Sequence, residues 1–104
     1  CQGYFIEGDD DSTGYGIYLP DTSSGSNNNT IKNCNVTKFE HGIYFHTSSN
    51  NSLINIISSF NINRGIYLYS SLNNSLTNIT TNSNVDGIYL YSSSNNSRKS
   101  NLKI

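Results

Sequence analysis

The chain has no methionine, no alanine and a single proline, and only 12% of its 104 residues are charged. Without alanine, and with asparagine and serine in nearly every segment, little favours a helix. Ser, Asn and Thr side chains compete for backbone hydrogen bonds, and β-branched residues lose rotamer freedom in a helix. The charge is nearly balanced, at −1, and the basic residues are scattered apart from Arg98, Lys99 and Lys103. No basic stripe able to neutralise a row of phosphates results, which argues against nucleic acid as a partner. No run approaches the ~18 apolar residues of a membrane helix, and no basic-then-apolar leader is present.

Apolar residues make up only 34% of the chain, a composition that often marks disorder. Twelve isoleucines and eight tyrosines placed at regular intervals oppose that reading. The stretch GIYL at 16–19 returns as GIYF at 42–45 and as GIYL at 65–68 and 87–90. The spacings between the opening glycines are 26, 23 and 22 residues, a period characteristic of solenoids. The extra length of the first unit falls in PDTSSGSN, which is expected to bulge as a loop.

Within each unit the GIYL segment alternates apolar and tyrosine, the two-residue period of a strand. That places Ile17, Ile43, Ile66 and Ile88 in one inward column and Leu19, Phe45, Leu68 and Leu90 in the next. A second apolar pair follows each asparagine corner: Ile31 with Cys34, Leu53 with Ile56, and Leu76 with Ile79. A third inward position is expected at Phe39, Ile62 and Val85. One such unit cannot bury its apolar face alone, so the units must stack at the ~4.8 Å strand spacing. The pairs Asn28-Asn29, Asn50-Asn51, Asn73-Asn74 and Asn95-Asn96 mark a sharp corner, where asparagine tolerates left-handed dihedrals and stacked carboxamides form a ladder. The glycine opening each strand marks a positive φ or a close backbone approach. A leucine-rich repeat has a similar period, but its asparagine position and helical return segment do not fit YSSSNN after Leu90.

The pattern GIYLYSSxNNSLxNI over residues 16–97 resembles the right-handed parallel β-helix repeats of the NosD type, a family linked by description to periplasmic copper binding and to carbohydrate binding and hydrolysis. The resemblance implies an all-β right-handed parallel β-helix of about four coils of 22–26 residues without helix. Coils fall at 16–41, 42–64 and 65–86, with partial coils at 1–15 and 87–104. Phe5 or Ile6 then stands near an inward column. The sequence reads as a fragment of a longer protein, with Cys1 as a lipidated residue the weaker alternative. With uncapped ends, the isolated fragment is expected to associate end to end or to be unstable.

Outward positions carry the candidate site. Tyr18, Tyr44, Tyr67 and Tyr89 form one external column, and His46, Tyr69 and Tyr91 a second two residues along, giving an aromatic face about 7 Å wide. Sugar rings stack on such faces, and Ser and Thr at 47, 48, 70, 71, 92 and 93 are placed to add hydrogen bonds. Carbohydrate is therefore the favoured ligand, although a ladder of like side chains also stabilises a sheet by itself. Tyr15, His41, Arg64 and Asp86 form a further column, in which Arg64 and Asp86 can pair. No catalytic residues emerge, because Glu40 and Asp86 are expected on opposite sides of the strand. An enzyme reading, a segment of a polysaccharide lyase or hydrolase, puts the active site outside these residues. Glu7 and Asp9 to Asp11 match no calcium-loop spacing and read as a solvated turn. Copper needs clustered soft or imidazole ligands, and neither the two histidines nor Cys34 supply them, so no metal or other cofactor is expected. Cys1 and Cys34 permit a disulfide without requiring one. Sequons stand at Asn28, Asn35, Asn50, Asn73, Asn78 and Asn95, and they matter only in an exported chain. Such repeats are expected outside the cell, on its surface or in the periplasm.

Overall fold

The computed structural model describes residues 1–23 and 25–99, so the end of the last expected coil lies outside the described residues. The described residues form nine strands and no helix: β1 (Phe5–Glu7), β2 (Tyr15–Leu19), β3 (Thr30–Thr37), β4 (His41–His46), β5 (Ser52–Ser58), β6 (Arg64–Tyr69), β7 (Ser75–Thr80), β8 (Asp86–Tyr91) and β9 (Ser97–Lys99). Odd-numbered strands build one parallel sheet in the order β1-β3-β5-β7-β9, and even-numbered strands build a second, β2-β4-β6-β8. Each passage through both sheets advances the chain by one rung, which makes a parallel β-solenoid of about four turns.

Register follows the repeat residue for residue. Ile17, Ile43, Ile66 and Ile88 are successive strand partners, as are Leu19, Phe45, Leu68 and Leu90. Ile43, Phe45, Ile66 and Leu68 have no solvent exposure, and each such burial contributes about 1.5–3 kcal/mol. In the odd sheet the inward pairs are also in register, Ile31 with Leu53 and Leu76, and Cys34 with Ile56 and Ile79.

Those inward pairs are three residues apart, which a flat strand forbids. The residues between explain it: Asn33, Asn55 and Asn78 have φ of 59°, 54° and 54°. One left-handed residue resets the alternation, so β3, β5 and β7 each bend into two short faces. On the outside of the bend the Asn55 Nδ2 donates to Asn33 Oδ1 at 3.1 Å and Asn78 Nδ2 donates to Asn55 Oδ1 at 2.9 Å.

The asparagine corner is built as the sequence implies. Asn28, Asn50, Asn73 and Asn95 all have positive φ between 57° and 63°. Their followers turn inward: the backbone N–H of Asn29, Asn51 and Asn74 donates to Oδ1 of Asn51, Asn74 and Asn96 at 2.8, 2.9 and 2.8 Å.

One expectation needs correction, and two open alternatives are resolved. The third inward column is not Phe39, Ile62, Val85: Val85 is 75% exposed and Ile62 does not join the core. The column is Phe39, Asn61, Asn84, because the Phe39 N–H donates to Asn61 Oδ1 and the Asn61 N–H to Asn84 Oδ1, at 3.2 and 2.8 Å. Only Phe39 adds apolar surface, and the buried carboxamide of Asn61 and the half-buried one of Asn84 fill the rungs beyond it. Second, the expected inward residue of β1 is settled in favour of Ile6, which pairs with Val36, while Phe5 points out at 70% exposure. Third, Gly42 and Gly65 are glycines for space rather than for φ. A Cβ at Gly42 would lie 2.0 Å from Ser58 Oγ and 2.7 Å from the Gly65 carbonyl oxygen, and one at Gly65 2.7 Å from the Gly87 carbonyl oxygen.

Cys34 is buried as its column demands, and it is also bonded to Cys1, with the two Cα atoms 4.8 Å apart. The bond ties the first rung to the second. The Cys1 sulfur is thereby unavailable for a lipid thioether.

Candidate functional site

The outer face of β2, β4, β6 and β8 carries the aromatic residues, since positions facing away from the Ile and Leu columns are Tyr18, Tyr44, Tyr67 and Tyr89 in one file and His46, Tyr69 and Tyr91 in the other. The rings do not lie side by side as a flat platform. Tyr18 and Tyr44 stack with centroids 5.2 Å apart at 15°, Tyr44 and Tyr67 at 4.7 Å and 10°, and Tyr69 and Tyr91 at 5.1 Å and 7°. Parallel strands spaced at ~4.8 Å bring like rings to about that separation, so the faces of inner rings are covered by their neighbours. What they turn outward is edge and hydroxyl. The pattern breaks at the far end, where Tyr89 tilts 61° from Tyr67, across the files, where Tyr69 stands at 87° to Tyr67, and within the second file, where His46 stands at 64° to Tyr69.

A third file runs alongside: Tyr15, His41, Arg64 and Asp86 are successive strand partners. The Arg64 guanidinium lies over Tyr67 at 4.4 Å and over Tyr89 at 4.1 Å, and its Nε is 3.6 Å from Asp86 Oδ2. Cation–π contact with two rings holds the guanidinium flat against the sheet. His41 is only 6% exposed, with its Nε2 3.8 Å from Glu40 Oε1. Burial pushes the His41 imidazole below the usual histidine range and Arg64 adds to this, against the opposing pull of Glu40. Burial likewise pushes the Tyr44 phenol up to about 12, helped by neighbouring tyrosines, and raises that of Tyr67 despite Arg64. Both phenols therefore stay protonated donors through the neutral range.

Alternation puts Glu40 and Asp86 on opposite sides, yet both carboxylates reach this same file. Glu40 lies before the first residue of β4, where strand alternation does not yet hold, and its carbonyl oxygen accepts from the N–H groups of both Asn63 and Arg64, at 2.8 and 3.3 Å. The hydroxyls expected beside the aromatic face are elsewhere. Thr47, Ser70 and Ser92 have φ of 51°, 49° and 49° and form another corner. Ser48 and Ser71, fully buried, turn inward as a hydroxyl ladder in which the Ser48 N–H donates to Ser71 Oγ at 3.0 Å and the Ser71 N–H to Ser93 Oγ at 2.9 Å.

The acidic turn is organised from within. Asp11 Oδ1 accepts from the Thr13 N–H and hydroxyl at 2.9 and 2.6 Å, which lowers the Asp11 pKa, and Glu7 pairs with Lys38 at 2.6 Å, raising that of Lys38. Among the described residues no group of three or more His, Cys, Asp or Glu side chains is placed to hold a metal, and no helix is long and apolar enough to cross a membrane.

A family model described as right handed beta helix region matches residues 10–102. No curated protein and no solved structure gives a match. With two in-register parallel sheets and a family match over most of its length, the chain belongs to the right-handed β-helix family.

Proposed function

We propose that this β-helix is a structural or adhesive segment of a NosD-type protein that works outside the cytoplasm and binds a glycan on the outer face of β2, β4, β6 and β8. The observation carrying this reading is the aromatic face itself, two files of Tyr and His held in register across the rungs. The apolar contacts fall to the end rings Tyr18 and Tyr91, 42% and 48% exposed, because the rings within each stack cover one another's faces. The stacked phenols supply a row of hydroxyl donors at the ~4.8 Å rung spacing, suited to a linear polymer lying along the solenoid axis. The Cys1–Cys34 disulfide supports an oxidising compartment, where such bonds persist.

Glycan-array binding tests it, comparing the chain with its Tyr67→Ala and Tyr89→Ala variants. Each substitution is expected to weaken a bound glycan roughly tenfold, the equivalent of ~1.4 kcal/mol. A wild-type chain that captures no glycan, or variants that bind as well as it does, would remove the reading.

A further inference from the structure

The phenol geometry has a chemical consequence that glycan binding does not need. Tyr44 and Tyr67 occupy the same register position on adjacent rungs and stand nearly parallel, 4.7 Å between centroids. Tyr69 and Tyr91 repeat the arrangement one rung along at 5.1 Å. Carboxamide and hydroxyl ladders join the rungs at the corners and hold that separation. At this distance and angle an ortho carbon of one phenol reaches that of the other by side-chain rotation, without backbone movement. The tilted pair Tyr67 and Tyr89, at 61°, lacks the alignment.

The inner rings are half-buried, but the row is open to solvent at its margins. Tyr15 and Tyr18 are 40% and 42% exposed and lie 4.9 and 5.2 Å from Tyr44, and Tyr91 is 48% exposed beside Tyr69. An electron hole created on an exposed ring passes inward from ring to ring along these contacts.

We propose that this face is an oxidative cross-linking site, in which a one-electron oxidant of the haem-peroxidase and hydrogen-peroxide class couples Tyr44 to Tyr67 within one molecule as dityrosine. Each phenol gives up one electron and one proton, and the two phenoxyl radicals form a bond between ortho carbons. The two ortho hydrogens then move to the oxygens and restore both aromatic rings. The protein loses two hydrogen atoms in all, and they reduce one hydrogen peroxide to two waters. The product stitches one coil to the next, as the Cys1–Cys34 disulfide, also an oxidative link, does between the first two rungs. This inference does not depend on glycan binding.

The test treats the purified chain with a haem peroxidase and hydrogen peroxide, followed by tryptic mass mapping and dityrosine fluorescence. Cleavage after Lys38, Arg64 and Arg98 separates residues 39–64, with Tyr44, from residues 65–98, with Tyr67. The expected product is these two peptides joined, lighter by two hydrogens, from protein that still runs as a single chain and in a yield that does not change on dilution. Tyr67→Phe and Tyr44→Phe keep a ring in the stack and are each expected to abolish the joined pair. Coupling found only between molecules, with a yield that falls on dilution, overturns the proposal. A joined pair that persists in either Phe variant overturns it equally.

Discussion

Asn73 and Asn74 are sequence neighbours with opposite tasks. Asn73 supplies a left-handed turn, φ 57°, and its side chain faces solvent, whereas Asn74 is 1% exposed, accepts the Asn51 N–H and donates through Nδ2 to the Ser48 carbonyl oxygen at 3.2 Å. Asn74→Ala leaves a buried donor and a buried acceptor unpaired, so a loss of about 2–4 kcal/mol is expected in denaturant unfolding. Asn73→Gly, which keeps the dihedral available, is expected to change stability by less than about 1 kcal/mol. Equal losses in the two variants would contradict this division of labour. His41 makes a second residue-scale prediction. Its folded-state pKa lies below the unfolded value of about 6.5, so the unfolded chain binds more protons as pH falls through that value. The contribution is fully present above pH ~6.5 and is lost as pH falls toward the folded pKa. The groups facing the imidazole are Glu40, Arg64, Tyr15, Tyr44 and Tyr67. His41→Tyr, which copies Tyr15 one rung away, is expected to flatten the stability profile on the acid side of neutrality, and an unchanged slope would show that other groups cause it.

Strands are where the sequence was most legible, because the repeat writes each inward column four times over. Ile17 to Ile88 and Leu19 to Leu90 could be paired by eye, and so could the paired asparagines. Positions following a left-handed residue were not. Strict alternation carried past Thr47 and Ser70 puts Ser48 and Ser71 outside, and the positive φ of Thr47 and Ser70 reverses it. The Asn61–Asn84 ladder was hidden for a different reason, since unequal unit lengths shift Ile62 and Val85 into positions that look inward. Spacing puts seven aromatic residues at alternate positions of the same strands, but whether rings lie flat or stack depends on side-chain torsions that spacing does not encode. The Cys1–Cys34 bond depends on how the chain before β1 folds back, which no column predicts. At this scale the closest constraint between strands sits at the opening glycines. A methyl at Gly65 meets the Gly87 carbonyl oxygen at 2.7 Å and the Ser58 carbonyl oxygen at 2.8 Å, both backbone atoms that cannot rotate aside. Gly65→Ala is therefore expected to cost about 1–3 kcal/mol and to lower the thermal midpoint, although alanine suits a strand better than glycine does. A variant as stable as the parent would show that the rungs separate more easily than the hydrogen-bond ladders imply.

A solenoid this regular holds together by nearest-neighbour contacts, so perturbations at one end stay local. The disulfide closes a separation of 33 residues and by chain entropy is worth up to about 3–4 kcal/mol. Reducing it is expected to expose β1 and the start of β3 to hydrogen exchange while β5 and β6 stay protected, and uniform loss across all strands would mean the stack unfolds as one unit. The other end of the described residues raises the matter of end-to-end stacking. There β8 and β9 each have a strand partner on one side only, and Leu90, in the file of the buried Phe45 and Leu68, is 48% exposed. Among the described residues this leaves a parallel edge over a half-exposed apolar file, and such an edge is a template for another copy. Yet the file of Ile31, Leu53 and Leu76 continues into Arg98, a guanidinium at a position where every earlier rung places an aliphatic side chain. Docking a further rung there would strip water from an unpaired charge, at a cost of several kcal/mol, which offsets much of the gain from covering Leu90 and Ile88. Inward-pointing charge is one way that sheet proteins keep their edges from pairing. Arg98→Leu removes it, and sedimentation velocity is expected to show concentration-dependent association well above that of the parent chain. Identical sedimentation of the two would mean that Arg98 does not guard this edge, and that backbone pairing or its absence decides the matter by itself.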